Sequence, residues 1–168
     1  MSVTAPQPLF YEIEGWGTGE VWLRRSRLLW HELPRPLAAN STGSERKPAR
    51  RSPAAGERLV RRIEAYFAGR RESFDDVDLD LEGWTPFQLA VLHTIRRVSW
   101  GEVVSYGELA ALAGYPRAQR AVGTFCARNR FGLVVPCHRV VGADGLGSYG
   151  SLGLRYKRRL LALEGVTF

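Results

Sequence analysis

Cysteine is almost absent from this chain: Cys126 and Cys137 are the only two among 168 residues. A small scaffold stapled by several disulfides is thereby excluded, and free thiols in a reducing compartment become the expectation. Long apolar runs are missing as well. None approaches the roughly 18 residues that a membrane-spanning helix requires, and the segment Met1 to Pro8 has neither the basic flank nor the apolar centre of a secretory signal. The expected setting is cytoplasmic, with no membrane partner. Acidic residues become scarce in the second part of the chain. Through Gly83 there are 13 Lys and Arg against 13 Asp and Glu, but from Trp84 onward 11 against 4, so the whole formal charge of +7 lies there. A basic half of this kind suits a polyanionic partner, most often nucleic acid, with plain solubility charge as the other explanation.

What is present suffices for one sizeable core or for two small domains. Residues 10–15 and 20–25 read as strands around a Gly-rich turn at 16–19, which predicts a hairpin. From Pro34 to Gly56 the composition shifts to Pro, Ser, Ala and Arg without periodicity, as expected of a long, mobile surface loop. Its basic cluster at 46–51 reads as a solvated tract rather than a binding element. Leu59, Val60, Ile63, Tyr66 and Phe67 fall at helical spacing between Glu57 and Ala68, ahead of Gly69. The run Phe74 to Leu81 alternates apolar and acidic residues, which suits an edge strand with its carboxylates in water; a metal site is the alternative, but the spacing of a calcium loop is missing. The first 83 residues thus read as an α/β unit.

A new unit, 84–168, starts at Trp84. Thr85 as N-cap and Pro86 at the first position open a helix reaching about Val98. A short helix over 106–113, a turn at Gly114-Tyr115-Pro116 and a second helix from Arg117 to about Asn129 together predict a helix-turn-helix in a mainly helical domain. The second of these helices combines small residues, Ala118, Ala121 and Gly123, with Arg117, Arg120 and Arg128. Small residues permit close approach to another surface and the arginines supply charge, a pairing that fits DNA and also fits internal helix packing. A last helix is expected over 156–164. Glu164 at its end opposes the helix dipole, which leaves its presence to be explained by another partner.

Between the two segments lies Val134-Val135-Pro136-Cys137-His138-Arg139-Val140-Val141. A thiol is only a few per cent thiolate at neutral pH unless a base or a positive charge shifts it, and His138 and Arg139 are the neighbours able to do so. A core cysteine is the plain alternative. Burying His and Arg beside it for packing alone is costly, which favours a nucleophile. The residues themselves leave open a hydrolase or a DNA-binding regulator, although an imidazole rarely reaches the thiol directly before it in the chain.

Phe87-Gln88, Tyr106-Gly107-Glu108-Leu109-Ala110, Arg120-Ala121-Val122-Gly123, Asn129, Pro136-Cys137-His138-Arg139-Val140, Tyr149 and Leu160 to Gly165 together resemble the O6-alkylguanine-DNA alkyltransferases. The resemblance covers about Thr85 to Val166 and is loose before it. It implies an RNase-H-like first domain and a winged-helix-like second one. It also implies single-use transfer of an alkyl group from O6 of guanine in duplex DNA to Cys137, with O4 of thymine left open. His138 would be the base acting through water, Glu164 its orienting carboxylate and Asn129 a hinge. Arg120 would enter the base stack when the nucleotide is flipped, Tyr106 would assist the flip, and Ala118, Ala121, Gly123 and Arg128 would meet DNA. Tyr106, Val140, Tyr149 and Gly150 would line the guanine pocket. Some members carry zinc on N-terminal Cys and His ligands; His31 alone stands in that half here, so no metal and no cofactor are expected. The implied partner is alkylated double-stranded DNA, met by a monomer.

Overall fold

The computed structural model describes residues 5, 6, 8–36 and 54–168. Most of the segment expected to be a mobile loop, and all of its basic cluster at 46–51, lies outside the described residues. The described chain divides into two compact units. One holds the residues up to Glu72 together with Asp76–Asp80; the other holds Ser73–Asp75 and Leu81–Phe168.

In the first unit, β1 (Pro8–Ile13), β2 (Gly17–Arg24) and β3 (Arg27–Arg35) form an antiparallel sheet in that order. The hairpin expected from the sequence is β1–β2. Strand β3 was not expected. Its turn places Arg25 and Ser26 in the left-handed region, at φ 50° and 65°, where hairpins ordinarily carry Gly or Asn, so the turn has no residue signature. Opposite Tyr11, Gly19 leaves room that a side chain would fill: a Cβ there would lie 2.3 Å from the Tyr11 ring. The Tyr11 hydroxyl bonds His31 Nε2 at 2.5 Å across the sheet. Helix α1 (Ala54–Phe67) starts three residues before the periodic run and buries Leu59, Ile63, Tyr66 and Phe67; it packs on β1 and β2.

The acidic run 74–81 corrects the expectation of an edge strand. Asp75 and Asp76 form a turn, and only Leu79 bridges to Leu28 of β3. Asp75, Asp76 and Asp78 are exposed to water as expected, and Asp80 is buried. Asp76 pairs with Arg62 at 2.8 Å and Asp80 with Arg24 at 3.5 Å, so these two are drawn to arginines of their own unit.

The second unit is built from α2 (Pro86–Arg96), α3 (Tyr106–Leu112), α4 (Gln119–Ala127) and α5 (Gly153–Leu163), with a short parallel pair, β4 (Val104–Ser105) and β5 (Val140–Val141). Thr85 caps α2 as expected and shares a reciprocal capping box with Gln88; Ser105 and Glu108 do the same for α3. The α3–α4 helix-turn-helix is present, but α4 begins later than its sequence suggests. Arg117 takes φ 70°, so Arg117 lies outside the helix and Ala118 becomes its N-cap. Helix α5 instead begins earlier, at Gly153. The core is formed by Val91, Leu92, Ile95, Leu109, Val122, Phe131, Leu160 and Leu161. No helix among the described residues is long and apolar enough to cross a membrane.

Leu160 is fully buried one turn before Glu164. Leu160→Ala should lower unfolding free energy by about 2–5 kcal/mol, a transfer loss plus a cavity, read as a shift in the midpoint of urea denaturation at unchanged slope.

Candidate active site

The chain enters the site through a sequence of tight turns that fix Cys137 by its backbone. Leu133 sits at φ 72°, a left-handed conformation that an unbranched-at-Cβ leucine adopts only when its surroundings enforce it. Here Val135 N donates to Phe131 O at 2.8 Å and Val134 N to Gly132 O at 2.9 Å. Pro136, at φ −79° and ψ 66°, is the centre of an inverse γ-turn closed by Cys137 N donating to Val135 O at 2.8 Å. Cys137–Arg139 then form one turn of 3-10 helix leading into β5.

Asn129, two residues past α4, ties that helix to the turn. Its Nδ2 donates to Val135 O at 2.8 Å, and its Oδ1 accepts from Phe131 N at 2.9 Å. The Val135 carbonyl therefore receives both the Asn129 amide and the Cys137 N–H.

Behind the thiol, His138 and Glu164 are both buried, with His138 Nε2 and Glu164 Oε2 2.7 Å apart. Arg139 Nε donates to Glu164 Oε1 at 2.7 Å, its Nη2 pairs with the same carboxylate, and its Nη1 donates to Val98 O at 2.7 Å. Burial pulls His138 below its ordinary value, outweighing the attraction of Glu164. Burial pushes Glu164 up, but the hydrogen bonds and charges of His138 and Arg139 bring it below the usual carboxylate value. The pair is thus a neutral imidazole donating Nε2–H to a carboxylate that Arg139 balances, and this tautomer puts the ring's lone pair on Nδ1.

The Cys137 thiol is held well above its ordinary value, first by burial and then by a hydrogen bond and charge repulsion from Cys126. The groups that favour its thiolate are Lys157 and Asn129. Sequence reasoning assigned that part to His138 or Arg139; Arg139 is committed instead to Glu164 and Val98. Lys157 was missed altogether. It is buried, donates from Nζ to Val140 O at 2.5 Å and to Ser148 O at 3.0 Å, and lies 5.6 Å from the centre of the Tyr106 ring. Burial lowers its pKa to about 8. A lysine inside a helix of basic residues gives no signal of its own; only the burial pattern of α5 turns it inward.

The glycine-rich segment after β5 was expected to be a flexible wall, and the structure ties it down. Ser148 N and the Tyr106 hydroxyl are 3.3 Å apart, and Gly147, at φ 79°, lies so close that a Cβ would sit 2.7 Å from the Tyr106 ring. Tyr149 stacks on Tyr156, with centroids 6.2 Å apart, and Gly150 is exposed at φ 46°. The structure therefore gathers Cys137, His138, Glu164, Asn129, Tyr106 and Val140, with Lys157 added. Arg120 and Ala121 are exposed on α4 and Arg128 is exposed at its C-cap, next to Asn129, while Gly123 is half-buried and Ala118 half-buried at the N-cap. Among the described residues no group of three or more His, Cys, Asp or Glu is placed to hold a metal ion.

Residues 86–166 match the family model described as 6-O-methylguanine DNA methyltransferase, DNA binding domain. The chain is 43% identical over 107 residues to a methylated-DNA–protein-cysteine methyltransferase of Metallosphaera sedula, covering 64% of this chain and 66% of that one. It is 50% identical over 106 residues to the protein of that name from Methanosarcina acetivorans, covering 62% and 66%. The match thus spans about two thirds of the length of these curated relatives. The crystal structure of Mycobacterium tuberculosis OGT in complex with DNA superposes with a TM-score of 0.74 at 35% identity, covering 94% of this chain and 92% of that one.

The His138–Glu164 geometry sets a pH dependence of stability. Between the lowered native pKa of His138 and the ordinary 6.5, the unfolded chain binds more protons than the native one, so unfolding free energy rises with pH across that window and levels off above it. The depressed Glu164 adds a second rise in the carboxylate range, lost again as pH falls through its native pKa. His138→Gln should flatten the upper window and also shrink the lower one, because His138 is the first of the groups that hold Glu164 down, in urea titrations between pH 3 and 8. An unchanged upper slope would assign the dependence to other groups.

Proposed function

Because this chain belongs to the methylated-DNA–protein-cysteine methyltransferase family, we propose that it repairs alkylated duplex DNA by moving the alkyl group from O6 of guanine onto Cys137. The observation that carries this reading is a buried thiol, fixed by its backbone, facing a lysine and an asparagine that favour its thiolate, beside an imidazole whose tautomer is set by a buried carboxylate.

In the resting protein the thiol is protonated, since burial outweighs Lys157 and Asn129. A neutral resting thiol is a poor nucleophile, so the proton has to leave as substrate arrives. With its Nε2–H given to Glu164, His138 can accept that proton at Nδ1 through a water, and the developing imidazolium is stabilised by the same carboxylate. The sulfur then forms a bond to the alkyl carbon while the carbon–oxygen bond breaks, its electron pair returning to the guanine, which regains one proton. Sulfur is left as a thioether. A thioether is a poor leaving group, and among the described residues nothing near Cys137 offers a route to release the alkyl group from it, so each molecule reacts once.

A base inside a duplex is beyond reach of a buried thiol, and the nucleotide must be extruded at a cost of a few kcal/mol. Arg120 on the exposed face of α4 is suited to fill the vacated stack, with Tyr106 beside the loop that would receive the base, and Tyr149, Val140 and Gly150 around it. The small residues Ala118, Ala121 and Gly123 would let α4 approach the minor groove, with Arg128 at its end. The three-stranded sheet with α1 is consistent with an RNase-H-like scaffold over 1–83, and α3–α4 with the β4–β5 pair is consistent with a winged-helix-like DNA-binding domain over 84–168. The protein would act in the cytoplasm as a monomer, on alkylated double-stranded DNA.

With methylated duplex in excess, intact-mass measurement should show one added methyl group per chain, and fragmentation should place it on Cys137. Labelling mainly on Cys126, or several duplexes repaired per chain, would refute the single-use mechanism. Arg120→Ala should slow repair of methylated duplex by at least about tenfold, the weight of roughly 1.4 kcal/mol of lost stack filling. Its reaction with free O6-benzylguanine should fall far less, because only the duplex requires extrusion; equal losses on both substrates would remove Arg120 from that step.

A further inference from the structure

A cavity of about 640 Å³ opens between the start of α2 and the outer side of α4, walled by Trp84, Gln88, Thr124, Phe125, Arg128 and Arg130. None of the residues gathered around the thiol lines it except Asn129, the link between α4 and the Cys137 turn. Its cations are unusual in their settings. Arg130 is half-buried, with Cζ 5.5 Å from the centre of the Trp84 ring and 5.4 Å from that of Phe131. Both rings lie within cation–π distance of the guanidinium, which favours its staying at this place while its N–H groups meet an acceptor. Among the described residues, neither Arg130 nor Arg128 has a carboxylate partner or a side-chain hydrogen bond; the only carboxylate on the wall belongs to Glu82. A guanidinium set beside two aromatic rings, next to a second guanidinium without a carboxylate partner, is suited to bind a phosphate group through charge-assisted hydrogen bonds.

Resting on the DNA reading given above, we propose that this cavity is a phosphodiester site for the backbone of the bound duplex. Arg130 and Arg128 grip a phosphate outside the nucleotide delivered to Cys137. The occupant is backbone rather than a free anion because one wall is α4 itself, the helix that carries Arg120 and Ala121, so a strand lying along that helix passes the cavity mouth. A phosphate contact of this kind positions the helix and carries no base information. Its place beside Asn129 means that a strand seated there also bears on the connection from α4 to the thiol turn.

The test uses the full chain and a set of duplexes in which single phosphates are replaced by neutral methylphosphonates, with affinity read by fluorescence anisotropy over a range of salt. Arg130→Gln is expected to reduce the log–log salt slope by about 0.9, one released counterion. It should also become indifferent to neutralisation at one phosphate to which the unsubstituted chain responds. Arg130→Lys, which keeps the charge, should restore the slope. The same slope and the same set of sensitive phosphates in Arg130→Gln would overturn the site while leaving the repair reading intact. Duplex binding by the unsubstituted chain that ignores salt would overturn both. Should Arg130→Gln lose its fold by circular dichroism, Arg128→Gln, at an exposed position, decides by the same scan: a lost phosphate supports the site, and an unchanged scan overturns it.

Discussion

The Glu164 carboxylate is the interaction on which the second unit depends. It accepts from His138 and from Arg139, and Arg139 in turn reaches the carbonyl of Val98 just past α2. One buried charge therefore joins the end of α5, the turn that carries Cys137 and the exit from α2. A buried carboxylate is tolerable only when its lone pairs are met and its charge is balanced. Each of the three side chains satisfies what the other two would otherwise leave exposed to a low-dielectric interior, so removing any one strands the rest. This explains a carboxylate at a helix C-terminus, where the macrodipole disfavours it: the partners across the interior outweigh the helix end.

The thiol itself is governed by opposing effects of similar origin. Burial that shields Cys137 also raises its pKa, and the neighbouring Cys126 adds to that. Lys157 pulls the other way from inside the protein; the same burial lowers its own pKa to about 8, still above neutrality, so most of its charge persists there. Its ammonium is meanwhile occupied with the carbonyls of Val140 and Ser148, which fixes both the strand after the thiol turn and the loop facing Tyr106. On the proposed reading, the result is a thiol kept quiet at rest and brought to reactivity only when substrate displaces this balance.

The backbone supplies the connection between the two ends of the site. Asn129 leaves α4 and bonds the carbonyl that also receives Cys137 N–H, so the end of the helix and the thiol turn are joined by two hydrogen bonds. The positive φ of Leu133 and the γ-turn at Pro136 leave the backbone of that turn little conformational freedom.

Local signals determined much of this protein from its sequence. The Thr85-Pro86 start of α2, the paired helices around Gly114, the apolar face of α1 and the Pro-Cys-His-Arg run are each decided by residues within a few positions of one another, where propensity, capping and turn chemistry act. Charge balance likewise placed the excess of basic residues after Trp84. Tertiary structure alone decided what depends on distant partners. Strand β3 formed through a turn without glycine, because pairing with β2 outweighs the cost of two left-handed residues. The acidic run at 74–81 became a turn with a single bridge to β3, and Asp76 and Asp80 found Arg62 and Arg24, which lie far off in the sequence. Lys157 was turned into the interior by the packing of α5, and Arg139 was drawn from the thiol to Glu164. Burial and charge pairing are properties of space, not of spacing, and a sequence shows which side chains carry charge without showing which of them will be taken out of water together.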